Sequence, residues 1–280
     1  MINFNGNLEE NTSQIDVNNR GFNYGDAVFE TIKVSHTKIL FLEDHYFRLM
    51  SSMRIMRMEI PMNFTMEFIE SEIIKTINAN NQENTSVRVK ILVNRVEGGF
   101  YNPTHNDINY VITTQALKNE FYDISKDEYV VDLFKDFYVS PSLLSTLKTN
   151  NKAINIVASI YAKENDLDNC LLLNTEKSVI EATNGNIFLV KNNVIKTPPL
   201  SDGCLKGIFR KQIIEAVKTL PDYTIVEESI SPFELQKADE LFITNVIQGI
   251  KPITRYRKKQ FTSNISEEIL NKINVKLRLN

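Results

Sequence analysis

Two hydrophobic periods are interleaved along this chain, and no regular alternation connects them. Period-2 runs at 28–34 and 38–42 read as strands, and the short polar turn between them suggests a hairpin. Period-3.6 patterns follow. Asp44 is a candidate N-cap for a helix with Leu49, Met53 and Met56 on one face, and Thr65 for a second helix carrying Phe68, Ile69, Ile73 and Ile77. Strand composition returns at 86–93 and 110–114, and the charged stretch 118–128 predicts a linker. Beyond it the pattern predicts a strand at 129–134, a helix at 145–162 and short strands around Leu171, Ile187 and Val194. A helix from Gly207 to about Thr219, a buried strand at 241–244 and a last helix from Ser266 complete the chain. Strands and helices mix without β-α-β order or an internal repeat. That favours two α+β domains, 1–117 and 129–280, over a doubly wound sheet.

Composition narrows the function classes. With 280 residues, 42% of them hydrophobic and 24% charged, either domain can bury a core. A net charge of −3 gives no general attraction to nucleic acid or anionic lipid. The first residues lack the basic flank and apolar run of a signal peptide, and no apolar stretch has the length of a membrane helix, so a cytoplasmic protein is expected. Cys170 and Cys204 are too few for a disulfide framework or a cysteine metal site, and His36, His45 and His105 lack ligand spacing, so no metal is expected. Gly207 precedes a helix start, where backbone N–H groups favour an anion. Spacing alone does not separate Lys148, Glu181, Arg48 or Asn245 from ordinary solvated side chains.

Four segments in order carry more information together than singly. They are Arg20-Gly-Phe-Asn-Tyr-Gly-Asp-Ala-Val-Phe-Glu-Thr-Ile, His45-Tyr-Phe-Arg48-Leu, Leu147-Lys148-Thr-Asn-Asn151 and Glu181-Ala-Thr-Asn-Gly-Asn-Ile-Phe. Leu205-Lys-Gly207-Ile-Phe-Arg and Ala238-Asp-Glu-Leu-Phe-Ile-Thr-Asn245 extend the set over nearly the whole chain. This combination resembles the class IV (fold type IV) pyridoxal-phosphate enzymes, which include branched-chain and D-amino acid aminotransferases and aminodeoxychorismate lyases.

The resemblance implies a two-domain α+β fold of the D-amino acid aminotransferase type, with pyridoxal 5′-phosphate in the cleft and its lysine in the second domain. It implies that Lys148 carries the cofactor as a Schiff base and then shuttles the substrate Cα proton, which requires a primary amine. Glu181 would keep the pyridine nitrogen protonated. Arg48 and the N–H groups of Ile208 and Phe209 after Gly207 would hold the phosphate, with Asn245 supplying a second phosphate or substrate contact. Val246 departs from the threonine usual in transaminases of the class, which removes a hydroxyl donor. Tyr24, Phe29, Arg88, Arg95 and Tyr101 match substrate-side positions, and one of the two arginines is expected to bind a substrate carboxylate. Relatives are homodimers, so the loop Gly98-Gly99-Phe100-Tyr101 is expected to reach the partner's site.

Three readings of the reaction follow from the resemblance. An aminodeoxychorismate lyase would release pyruvate and leave p-aminobenzoate for folate synthesis. Thr244-Asn245 followed by Gly249-Ile250-Lys-Pro, with Val246 between, fits that subgroup. A transaminase for branched-chain or D-amino acids with a 2-oxoacid acceptor is the alternative. Against it, Arg95-Val-Glu-Gly-Gly lacks the Arg-x-His pair of the D-specific group, and Thr149-Asn150-Asn151 replaces the glycines of the branched-chain pattern. A non-catalytic binding relative is the third, opposed by the presence of both Lys148 and Glu181.

Overall fold

The structure, a computed structural model, describes residues 1–10 and 16–279. The chain divides into two compact units, Met1–Glu120 with Leu147–Asn151, and Phe121–Thr146 with Lys152–Asn280. The first division falls inside the expected linker 118–128. The second differs from the expected plan, because it assigns the Lys148 segment to the first unit rather than to the C-terminal one.

In the first unit the elements are β1 (Ile2–Phe4), β2 (Asn7–Glu9), α1 (Arg20–Tyr24), β3 (Ala27–Ser35), β4 (Lys38–Ile39), α2 (Leu42–Ile55), α3 (Met66–Ala79), β5 (Ser86–Arg95) and β6 (Ile108–Leu117). The strands form one antiparallel sheet in the order β2-β1-β6-β5-β3-β4. Alternate residues of the central strands, Val28, Ile32 and Val34 with Val87, Val89, Ile91 and Val93, are buried in one core with Leu49 and Met53 of α2 and Ile69, Ile73 and Ile77 of α3. The period-2 and period-3.6 patterns therefore meet at a single apolar layer. The Thr65 hydroxyl caps α3 by accepting from the Phe68 N–H at 3.2 Å, as its position predicts. Asp44 does not cap α2. The helix starts after Phe41, whose backbone is left-handed, and Glu43 and Asp44 lie in its first turn. Acidic residues favour a helix cap and a helix first turn alike, the latter through the dipole, so the pattern marks the end of the helix without fixing the residue.

The expected helix at 145–162 is interrupted. A short 3-10 turn at Leu144–Thr146 gives way to an extended stretch, and α4 (Ala153–Glu164) begins only after Lys152. The extended stretch docks on the free edge of β3. Phe29 N–H donates to the Lys148 carbonyl at 2.8 Å, Asn150 N–H donates to the Ala27 carbonyl at 3.1 Å, and Val28 bridges Thr149. Thr149, Asn150 and Asn151 form helices poorly; the strand edge takes up the Lys148 carbonyl and the Asn150 N–H instead, and the Asn151 N–H donates to Thr149 Oγ1 at 3.3 Å.

The second unit is built on a ten-stranded mixed sheet. Its strands are β7 (Val130–Leu133), β8 (Asn169–Leu173), β9 (Val179–Ala182), β10 (Gly185–Lys191), β11 (Val194–Thr197), β12 (Thr224–Glu227), β13 (Glu240–Asn245), β14 (Gly249–Ile253), β15 (Arg255–Tyr256) and β16 (Lys259–Gln260). Three helices join α4: α5 (Ile208–Val217), α6 (Pro232–Leu235) and α7 (Asn264–Leu279). β13 lies between β10 and β14, and Phe188 stacks on its cross-strand partner Phe242 with ring centroids 5.0 Å apart. One core contains Leu171, Ile187, Leu241, Ile243 and Tyr256; a second forms where Ala158 and Ala162 of α4 meet Phe134, Leu172 and Ile180.

Candidate active site

In the first unit the site begins with a charged residue in an apolar strand. Glu30 of β3 is 1% exposed on the face packed against α2, so it requires partners there. Two residues of α2, three apart and on one helix face, supply them. Arg48 donates Nε to Glu30 Oε1 at 2.8 Å and Nη2 to Oε2 at 2.5 Å, and His45 Nδ1 lies 2.6 Å from Oε2. Burial alone would push the Glu30 carboxyl up. The Arg48 charge and the hydrogen bonds from His45 and Arg48 outweigh it and hold the pKa at about 2. Burial lowers the His45 pKa, and the positive charges of Arg48 and Lys148 lower it further against the pull of Glu30.

Lys148 is fixed through its main chain to β3, and its Nζ lies 4.6 Å from the centre of the Phe29 ring. Gly25 ends α1 in the left-handed conformation with φ 64°, and a Cβ there would stand 2.5 Å from Asn151 Oδ1. The glycine of the first motif is thus required by both its backbone and the close approach of the Lys148 segment.

Asp26 joins two buried arginines. Arg20 Nε and Arg95 Nε both donate to Asp26 Oδ2, at 2.9 and 3.0 Å. Arg20 Nη1 also reaches the carbonyls of Gly98, Gly99 and Phe100, holding that loop, and the Arg20 guanidinium lies 5.1 Å from the centre of the Tyr24 ring. Tyr24 packs on Tyr101 at 5.8 Å between ring centres, and Tyr101 is 91% exposed.

The two arginines considered for a substrate carboxylate have different fates. β5 extends through Arg95, so alternation places Arg88 and Arg95 on opposite faces. Arg95 is 5% exposed and spends its donors internally, on Asp26, Asn106 Oδ1 and the carbonyls of Met56 and Arg57. The expectation that Arg95 lines the substrate side is therefore corrected: its guanidinium is a bracket for the loops around it. Arg88 is half-buried on the face turned away from α2 and α3, opposite Lys33 and Gln115.

In the second unit Glu181 on β9 and Asn186 on β10 are cross-strand partners, and they grip one residue from both sides. Leu205 N–H donates to Glu181 Oε2 at 2.9 Å, while Asn186 Nδ2 donates to the Leu205 carbonyl at 2.8 Å. The next turn places Gly207 at the N-cap of α5, followed by buried Ile208 and Phe209. Gly207 has an ordinary φ; here space is decisive, because a Cβ would stand 1.9 Å from Asn186 Oδ1. Asn245 turns its side chain onto the β13–β14 connection, accepting from Ile247 and Gln248 N–H and donating to the Asn184 carbonyl. Val246 is buried, and its carbonyl accepts from Tyr122 Oη at 2.6 Å.

The first unit holds an amine on a strand edge and a guanidinium fixed by a buried acid. The second unit holds a carboxylate oriented by a backbone N–H and a helix start with no room for a Cβ at its cap. Amines, guanidinium groups and helix starts are groups that can hold an aldehyde or a phosphate. Both cysteines are buried, and burial pushes their thiols up to about 11 for Cys170 and about 12 for Cys204. Among the described residues no group of His, Cys, Asp or Glu could hold a metal ion, and no helix is long and apolar enough to cross a membrane. Sequence reasoning assigned no role to Glu30, His45, Asp26 or Asn186; an acid inside the apolar run AVFETIKV was the one signal that could have found Glu30.

The sequence model of the family described as "Amino-transferase class IV" matches residues 27–256. The chain belongs to this family, whose members are pyridoxal-phosphate-dependent enzymes. It is 29% identical to a provisionally named branched-chain-amino-acid aminotransferase of Methanocaldococcus jannaschii, over 97% of this chain and 92% of that protein. It is 26% identical to the aminodeoxychorismate lyase of Bacillus subtilis, over 95% and 90%. Among solved structures, the branched-chain aminotransferase of Thermoproteus uzoniensis superposes with a TM-score of 0.86 at 24% identity, covering 96% of this chain and 92% of that one. The fold is therefore the two-domain α+β fold of type IV.

Proposed function

We propose that Lys148 binds the aldehyde of pyridoxal phosphate and that Glu181 faces its ring nitrogen. Arg48 and the N–H groups of Ile208 and Phe209 would hold the phosphate. The bound cofactor supplies an electron sink that stabilises negative charge at the substrate Cα. The Lys148 amine takes the Cα proton. The buried Glu30–His45 pair keeps Arg48 in one orientation, and the Leu205 N–H keeps the Glu181 carboxylate in its own. Arg88 offers a guanidinium to a substrate carboxylate.

For the reaction we favour an aminodeoxychorismate lyase that forms p-aminobenzoate and pyruvate. The observation that carries this reading is Val246, buried and apolar where transaminases of the class place a threonine, beside Thr244 whose hydroxyl is spent on the Gly249 carbonyl at 2.8 Å. Release of p-aminobenzoate from aminodeoxychorismate, without keto acid formation from amino acids plus 2-oxoglutarate, is the expected result. The reverse pattern would move the assignment to a branched-chain or D-amino acid transaminase, a reading favoured by the M. jannaschii relative. The cofactor roles are read separately. Purified protein should be yellow, and the band should vanish on borohydride reduction and be absent from Lys148→Ala. Protein that stays colourless after incubation with pyridoxal phosphate would instead support a non-catalytic binding role.

A further inference from the structure

The charged stretch 118–128 reads as a linker, yet two of its residues are built into the second unit. Tyr122 is 3% exposed. Its carbonyl accepts from Asn274 Nδ2 of α7 at 2.8 Å, and the Arg278 guanidinium of the same helix lies 4.4 Å from the centre of the Phe121 ring. From a main chain held there, the Tyr122 side chain reaches two further elements. Its ring meets Phe209 at the start of α5 edge-on, with centroids 5.0 Å apart. Its hydroxyl donates to the Val246 carbonyl in the β13–β14 turn at 2.6 Å.

That turn is closely specified. Asn245 Oδ1 accepts the Ile247 N–H at 3.0 Å, so the peptide joining Val246 to Ile247 is held at both ends. Gly249, where the turn rejoins β14, has φ 75°, and a Cβ there would stand 2.8 Å from Tyr122 Cδ1. Burial pushes the Tyr122 phenol well above the usual tyrosine range, so the hydroxyl remains a donor at neutral pH. A buried carbonyl needs a donor, and many arrangements within a hairpin could supply one. Here a single side chain sets the turn and the start of α5 relative to each other.

We propose that Tyr122 is a positioning residue for the cofactor phosphate, holding the β13–β14 turn in register with the start of α5 so that both segments present main-chain donors to one phosphate group. This rests on the reading that the Ile208 and Phe209 N–H groups bind the phosphate. The Asn245 side chain is engaged inside the turn, which leaves the turn's main chain to make the contact expected of that segment. Tyr122 acts through the Val246 peptide and the Phe209 ring. Hydrogen bonds to phosphate weaken steeply with misalignment, so a peptide free to rotate would bind it less well.

The test compares pyridoxal phosphate with pyridoxal, which differ only in the phosphoryl group, in the unaltered chain, Tyr122→Phe and Gly207→Ala. Binding is titrated by growth of the yellow band. Each protein is scored by the ratio of its two affinities, so a change in folded fraction cancels. Tyr122→Phe keeps the ring against Phe209 and removes only the donor. It should lower pyridoxal phosphate affinity about tenfold, the size of one hydrogen bond's net contribution, and leave pyridoxal affinity unchanged. The phosphorus NMR resonance of the bound cofactor should shift with it. A hydroxyl with a merely structural role would weaken both ligands alike or lower only the thermal midpoint of the apoprotein, and either result would overturn the proposal. If Gly207→Ala narrows the preference for the phosphorylated ligand and Tyr122→Phe does not, the helix start holds the phosphate and Tyr122 does not position it. Equal binding of the two ligands by the unaltered chain would overturn both readings.

Discussion

At the scale of single residues, Glu30 decides the state of its neighbours. It is a carboxylate with almost no exposure between a guanidinium and an imidazole, so removing its charge takes away the buried acid that Arg48 and His45 share. Glu30→Gln should lower the unfolding free energy by about 3–5 kcal/mol, as for other broken buried pairs, and should weaken cofactor retention. Urea unfolding and absorbance of the purified variant check both. The pH dependence follows from the two shifts. The unfolded chain protonates His45 below about 6.5 while the folded chain resists it, so stability falls as pH drops below that value. Glu30 adds a second loss: its contribution is complete above about 4.5 and disappears as pH falls toward 2. His45→Gln should therefore flatten the unfolding midpoint between pH 7 and 5 and leave the steeper acid limb; an unchanged slope would show that His45 is protonated in the fold. The pairing of Glu30 with the HxxR helix was latent in the sequence as an acid in an apolar strand. The role of Arg95 was not. Its acceptors come from Asp26, Met56, Arg57 and Asn106, far apart in the chain, and no local period records them.

At the scale of elements, periodicity located the core strands, α2, α3, α5 and α7, because each buries one regular face. It failed at 145–152, where the Lys148 carbonyl and the Asn150 N–H bond to the edge of β3 rather than to a helix of their own, a non-local fact. The same segment carries Lys148, so the part of the chain hardest to read from pattern is also the part that motif matching identified. The start of α5 makes a sharp prediction. Gly207→Ala places a methyl against Asn186 Oδ1, and relief requires moving Asn186 or the helix start. A destabilisation of about 1–3 kcal/mol and at least tenfold weaker cofactor binding are expected. Equilibrium dialysis with pyridoxal phosphate gives the second quantity; wild-type affinity would mean that the helix start does not hold the phosphate.

At the scale of the whole molecule, composition did not identify the chemistry. The family and the cofactor were legible only as a set of motifs spread over both units. Arg20 fixes the carbonyls of the loop at 98–101, while Phe100 and Tyr101 remain 83% and 91% exposed. A homodimer in which Tyr101 serves the partner's site should scatter light at twice the chain mass, and Tyr101→Ala should lower kcat/KM without lowering the unfolding midpoint. Activity that persists in a monomeric preparation would remove the loop from the site.

The grip on Leu205 has a consequence for how this protein tolerates change. Glu181 and Asn186 hold its N–H and its carbonyl, atoms that every residue except proline possesses, and leave the leucine side chain out of the bargain. Position 205 should therefore accept most side chains, with proline the exception because it has no N–H to give to Glu181. The information that aligns the Glu181 carboxylate and the helix start is thus written in the two residues that hold the peptide, and the held residue itself is nearly silent.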